Sequence, residues 1–260
     1  MEVLSRMQKK VLVPFFFFSS ITCFSFAQKI DSTISVSHFS GSVSITNNGI
    51  SLIPTFSLSK PAAIFNMSVG KSKLSFDPEF AFSLEGKPWY FLFWFRYKLI
   101  TAEKFRMNVG THLGLNFKTS VLPINMDSNE LKIAERYLVG ELVPNYSITK
   151  NISVGIYYLY SRGLDFGTKR MTNFITLNAN FSSIKLTNKF FMRVTPQFYY
   201  LNQDGDDGFY FTSAFTLAKI NFPFSISSVI NKVIQTDISS KDFVWNVTLT
   251  YSFGKRYVAL

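Results

Sequence analysis

Asp77, Glu79, Arg96, Lys98, Arg106, His112 and Arg193 are the side chains through which this sequence could act on a solute. Each sits at an alternate position of a segment whose other positions are apolar. Asp77 and Glu79 share a row with Ser75, Ala81 and Ser83, against Leu74, Phe76, Phe80, Phe82 and Leu84. Arg96 and Lys98 end a row begun by Tyr90, Leu92 and Trp94, against Trp89, Phe91, Phe93, Phe95, Tyr97 and Leu99. Arg106 and His112 alternate with Phe105, Met107, Val109, Leu113, Leu115 and Phe117, and Arg193 shares a row with Thr195 and Gln197. Extended chain points successive side chains to opposite faces, so these charges gather on one face of a sheet. Charges removed from water are usually paired, which predicts an ion-pair network holding a polar interior together. Ringed around a narrow pore, the same groups would tune which solute passes, and the basic balance of the chain would favour anions.

Catalytic patterns are sparse. The two histidines are His38 and His112. His38-Phe39-Ser40 is a short H-x-S triplet, and glycines two residues either side of His112 leave room beside it. No serine or aspartate can be placed next to His112 from the sequence, so no catalytic residue is assigned. There is no paired-histidine spacing, no glycine-rich phosphate loop and no EF-hand pattern, so neither metal nor cofactor is expected. Asp204, Asp206 and Asp207 could hold a calcium ion loosely, but an exposed acidic hairpin tip accounts for them.

The elements that must position these groups are long strands. Phe105–Lys118 alternates along its length with only Thr111 breaking the apolar row, well past the roughly five or six residues of an ordinary strand and past the roughly nine to eleven that cross a bilayer. Aromatic residues make up 17% of the 260, with 30 Phe and 12 Tyr, while charged residues are also 17%, below the roughly 25% usual in soluble domains. Residues 1–27 read as a signal peptide: Arg6, Lys9 and Lys10, then an apolar run from Val11, then Ser25-Phe26-Ala27 as the cleavage site. The single cysteine, Cys23, falls inside it, so the exported chain is expected to have no disulfide. The net charge is +11, but Lys and Arg are dispersed over turns and strands without a cluster on a helix, which argues against nucleic acid as a partner.

Connections alternate in character along the chain. Those at 70–73, 101–104, 149–151, 185–188 and 219–221 are short and contain Lys, whereas 118–129, 161–171, 202–208 and 236–241 are longer. The last strand ends Val247-Thr248-Leu249-Thr250-Tyr251-Ser252-Phe253. In these features the chain resembles bacterial outer-membrane β-barrel proteins, with short turns at one end and longer loops at the other. The resemblance implies an all-β, closed, antiparallel up-and-down transmembrane barrel in the bacterial outer membrane. Parity gives about twelve strands over 49–253, preceded by a periplasmic or lumen-entering segment, 28–48, and followed by a tail, 254–260. It also implies contact with membrane lipids and lipopolysaccharide, and assembly by the outer-membrane machinery. The function expected is porin-like passage of small solutes or a structural envelope role, not catalysis. The alternative is a barrel hydrolase acting on lipid or lipopolysaccharide, using His38 or His112.

Overall fold

The computed structural model describes residues 36–124 and 127–258. Twelve strands follow one another: β1 (Val36–Thr46), β2 (Ala62–Lys71), β3 (Leu74–Ser83), β4 (Pro88–Thr101), β5 (Phe105–Ile124), β6 (Asp127–Ser147), β7 (Ile152–Gly163), β8 (Met171–Lys185), β9 (Phe190–Gln203), β10 (Asp206–Lys219), β11 (Phe224–Thr236) and β12 (Phe243–Val258). Each pairs antiparallel with its neighbours in sequence, and β1 pairs with β12, so the sheet closes on itself and leaves no edge. The expected all-β up-and-down barrel of twelve strands is the fold observed.

Register decides which row faces where. Phe95, Leu113, Ile175, Leu177, Phe198, Ile226, Val247 and Leu249 all point outward and are largely exposed. An apolar surface that wraps the molecule is untenable in water but is what lipid requires, and a closed barrel is the only sheet that satisfies its backbone there. Toward one end, rings meet in succession across the closing seam. Phe222 touches Phe224 (centroids 5.5 Å apart), Phe224 touches Tyr251 (5.1 Å), Tyr251 touches Phe253 (6.3 Å) and Phe253 touches Phe39 (5.9 Å). Such a girdle belongs at the membrane–water boundary.

β1 begins and β12 finishes at this same end, which also carries the short connections 72–73, 102–104, 148–151, 186–189 and 220–223. Short turns mark the periplasmic end. The opposite, outer end carries 47–61, 84–87, 164–170 and 237–242, and a hairpin that stands beyond its neighbours. In that hairpin β5 and β6 pair out to Ile124 and Asp127, whereas β6 pairs with β7 only as far as Tyr137 and Gly163.

Several boundaries differ from the expected ones. The barrel starts at Val36, inside the segment assigned as periplasmic, because β1 pairs on both sides, with β2 and with β12. Gly49–Ser59, where the twelve strands were expected to begin, makes no ladder. Pro54 opens a 3-10 turn, Pro54–Phe56, and the segment is the connection between β1 and β2. The last strand runs to Val258, through most of the expected tail, because Gly254–Val258 finds partners in Val36–Ser40. The 118–129 loop is mostly ladder, and 202–208 is a tight Asp204-Gly205 turn. In that turn Gly205 takes φ +103°, a backbone state a side chain disfavours. The expected leader, 1–27, lies outside the described residues.

Candidate functional site: a charged belt and an inward loop

Inward-facing side chains from six strands join in one polar belt. On β1, His38 Nε2 lies 2.9 Å from Ser68 Oγ of β2. Ser68 donates its proton to Asp77 Oδ1 of β3 at 2.6 Å, so His38 is the donor to Ser68. Ser75 donates to Asp77 Oδ2 at 3.0 Å, and so does Arg96 Nη1 of β4 at 3.0 Å. Arg96 Nε donates to Glu141 Oε1 of β6 at 2.7 Å, and the Tyr157 hydroxyl of β7 donates to Glu141 Oε2 at 2.9 Å. The guanidinium also lies over the Trp94 ring, 4.3 Å from its centroid. Reaching from β4 to β6 means passing over β5, and Gly110 makes the passage. It pairs with Arg96 on one side and Glu141 on the other, and a Cβ there would sit 2.7 Å from Glu141 Oε1.

The belt brings together Asp77 and Arg96 of the expected charges. Glu79 stands beside it, bonded to the Tyr90 hydroxyl. His112 is buried against Trp94, ring centroids 4.0 Å apart, and pairs with no acid. Lys98, Arg106 and Arg193 face the lumen nearer the periplasmic end and are exposed, with no ion pair to any of them among the described residues. Sequence reasoning missed Glu141 and Tyr157. Its one usable signal was Glu141 itself, a charge in a segment where both rows are half apolar. It also linked His38 to Ser40, whereas the serine that His38 meets is Ser68 on the next strand.

His38, Ser68 and Asp77 are not ordered as a catalytic triad. Nucleophile activation needs the histidine to accept the serine proton and the carboxylate to hold the histidine. Here the serine proton goes to the carboxylate.

Above the belt, toward the outer end, connection 47–61 folds into the lumen. Its base is tied by Gly49 N to Lys60 O (2.8 Å) and Leu58 N to Gly49 O (3.0 Å). Its tip is held by Trp89 Nε1 donating to Phe56 O (2.8 Å) and Thr55 Oγ1 donating to Gln203 Oε1 (3.2 Å). Leu52 and Ile53 pack on Phe174, Tyr199, Leu201, Tyr210 and Ile238, and the Phe56 ring meets Tyr137 edge-on at 5.1 Å. The outer half of the lumen is thereby filled with apolar and aromatic side chains. The periplasmic half differs: Ser40, Ser42, Ser225, Ser227, Thr248, Thr250 and Ser252 face inward on β1, β11 and β12 and remain water-accessible.

The outer carboxylates are each engaged separately. Asp204 accepts from the backbone N–H groups of Arg170 (2.9 Å) and Met171 (2.7 Å), Asp206 pairs with Lys169 (3.2 Å), and Asp207 accepts from the Tyr200 hydroxyl (2.9 Å).

No family model matches the chain, and no curated protein matches it. Solved structures do resemble it. The KdgM porin in complex with disordered oligogalacturonate superposes with a TM-score of 0.52 at 10% identity, over 85% of this chain and 99% of that one. LpxR from Salmonella typhimurium gives 0.48 at 9% identity, over 82% and 99%. The COG4313 outer membrane channel from Pseudomonas putida F1 gives 0.47 at 10%, over 85% and 95%. At such identities the likeness to the KdgM porin is one of fold. That fold, with the apolar exterior and the even strand number, is that of a membrane-spanning β-barrel.

Proposed function

We propose that the barrel is a narrow, non-enzymatic channel for small polar solutes, constricted from its outer end by connection 47–61. The observation that carries this reading is the contrast within one lumen. The periplasmic half is wet and lined by small hydroxyl side chains, and the outer half is closed by a connection rather than by the strands themselves. A wall built only for stability would be packed along its whole length. Lys98, Arg106 and Arg193 in the wet half give it a positive potential, which favours anions. Lipopolysaccharide around the outer end and the barrel-assembly machinery are the partners this reading implies. The hydrolase alternative draws on the His38–Ser68–Asp77 row, and its proton order counts against it.

Planar-bilayer recording of the refolded, leader-free chain tests the reading. Steady conductance is expected, with a reversal potential in a salt gradient of the sign for anions. Phe56→Ala, which removes the ring on Tyr137, is expected to raise the conductance or the open fraction. A folded barrel that is silent in both forms refutes the channel.

A further inference from the structure

On the lipid-facing side of the barrel, at its periplasmic end, the outward rows around β1 leave a groove of about 770 Å³. Register explains it. At one level Tyr257, Ser37 and Lys71 stand side by side across β12, β1 and β2. At the next outward level, toward the middle of the membrane, stand Lys255, Phe39, Val69 and Phe76. Ser37 is the smallest of these side chains, so it makes a floor between Tyr257 and Lys71. Lys71 lines the groove, and Lys255 stands beside Phe39 on the other flank of β1. Both lysines are exposed, neither is in an ion pair among the described residues, and no acid stands on the outward rows of β12, β1, β2, β3 or β4. The surrounding end is basic as well. Its turns carry Lys73, Lys104, Lys150 and Lys189 against one acid, Glu103. The outer end differs: Lys118, Arg136, Lys169 and Lys232 are each matched there by an acid of this chain.

We propose that this groove seats one anionic phospholipid of the periplasmic leaflet, an acyl chain along Phe39, Val69 and Phe76 and the headgroup phosphate between Lys71 and Lys255. The apolar walls face the bilayer, which supplies the chain. Lysine stems lie along apolar surface while their ammonium groups reach the headgroups, and these two follow the lipid-facing residues Val69 and Phe253 along their rows. The strands flanking β1 are roughly 10 Å apart, a gap that two lysine side chains can bridge to one phosphate. Net charge then selects the headgroup. A zwitterionic lipid brings its own cation to a site that already holds two, whereas a net negative one neutralises them. A second copy of the chain fits the face poorly, because a symmetric pair would set two Lys71 and two Lys255 against one another. The site does not depend on the barrel conducting.

The test is native mass spectrometry of the refolded chain released from mixed micelles that contain phosphatidylglycerol or phosphatidylcholine with identical acyl chains. The barrel is expected to retain one phosphatidylglycerol several-fold more than one phosphatidylcholine. Lys71→Gln with Lys255→Gln should bring phosphatidylglycerol down to the phosphatidylcholine level. Lys150→Gln with Lys189→Gln removes the same charge from turns of the same end, away from the groove, and should leave retention as it is. Ser37→Trp fills the floor with both lysines in place and should also lower retention, and Val69→Trp repeats it should the first variant fail to fold. Equal retention of the two lipids, or no change in the Lys71 and Lys255 variant, overturns the proposal. So does an equal fall in the Lys150 and Lys189 variant, which would mean charge without a groove, or full retention in the filled one. A dimer of the chain that Ser37→Trp dissolves would overturn it too, because a second copy would then be the occupant.

Discussion

Arg96 holds two carboxylates apart and together at once. Asp77 and Glu141 approach it from opposite sides, with side chains 17% and 2% exposed, and neither has another cation in an ion pair among the described residues. Arg96→Met would therefore strand two acids facing one lumen segment. Removing one partner of a buried pair costs about 3–5 kcal/mol, and the loss here belongs at the low end because Arg96 keeps 34% of its side chain in water. The expected outcome is a lower unfolding temperature in heat-modifiable gel migration, partly restored by Arg96→Met with Glu141→Gln. Lys98→Ala, two residues along the same row and exposed, should move it by no more than about 0.5 kcal/mol. Gly110→Val gives an independent check. Its side chain would occupy the space of Glu141 Oε1, so it should destabilise like Arg96→Met although no charge is touched.

The facing of Asp77 and Arg96 was legible, because their opposite rows are Phe and Leu broken only by Pro78 and Tyr97; Trp89, read in the same outward row, instead turns into the lumen beside the register shift at Ala81/Phe82. Glu141 was not legible for a physical reason. On β6 the inward row is Glu135, Tyr137, Val139 and Glu141, and Tyr137 and Val139 are apolar because they meet Phe56 or its surroundings and not water. Where a lumen is filled, alternation no longer separates inside from outside.

The same physics misleads at the scale of elements. Gly49–Ser59 alternates as cleanly as any strand, yet its apolar residues are satisfied inside the barrel by Phe174, Tyr199 and Tyr137. β1 alternates weakly because its inward row, His38, Ser40, Ser42, Ser44 and Thr46, is met by equally small groups, as where Ser44 bonds Thr250 at 2.9 Å. Its strand character comes from pairing on both sides, which no single segment displays.

A second element depends on one loop contact. The projecting β5–β6 hairpin is latched to connection 164–170. Asp165 accepts from the Arg136 backbone N–H at 2.7 Å and from Arg136 Nη2 at 2.6 Å, while Leu164 N donates to Arg136 O at 2.9 Å. The guanidinium and the backbone N–H of Arg136 hold the Asp165 carboxyl below its usual range. A lowered carboxylate favours the latched state above the ordinary aspartate range and loses that contribution as pH falls through the lowered value. A spin label at Ile133→Cys, in a chain whose one native cysteine, Cys23, is replaced by Ser, should become more mobile on acidification through that window. Asp165→Asn should be mobile already at neutral pH and insensitive to acid. A label equally immobile at both pH values in the native chain would mean the latch does not hold the hairpin.

At the scale of the molecule, the outside was readable and the inside was not, and the reason is the solvent. Lipid asks one thing of every outward position, so the outward rows carry the same signal from β2 to β12. The lumen asks different things at different depths: small hydroxyls where it is wet, paired charges at the belt, and aromatic rings where the inward connection fills it. The division predicts unequal tolerance at two neighbouring positions. Phe93 lies mid-strand on β4, pairs with Pro78 and Leu113, and faces lipid. Asn108 on β5 pairs with Lys98 and Val143 and faces the lumen. Arg at the bilayer midplane costs about 2–4 kcal/mol, so Phe93→Arg should cut the folded fraction recovered from lipid vesicles steeply, while Asn108→Ala should fold as the native chain does. In thinner bilayers the defect of Phe93→Arg should shrink, because the guanidinium then reaches the headgroups. A defect independent of thickness would place Phe93 in a protein contact, and the outward row of β4 would then be an interface rather than a lipid face.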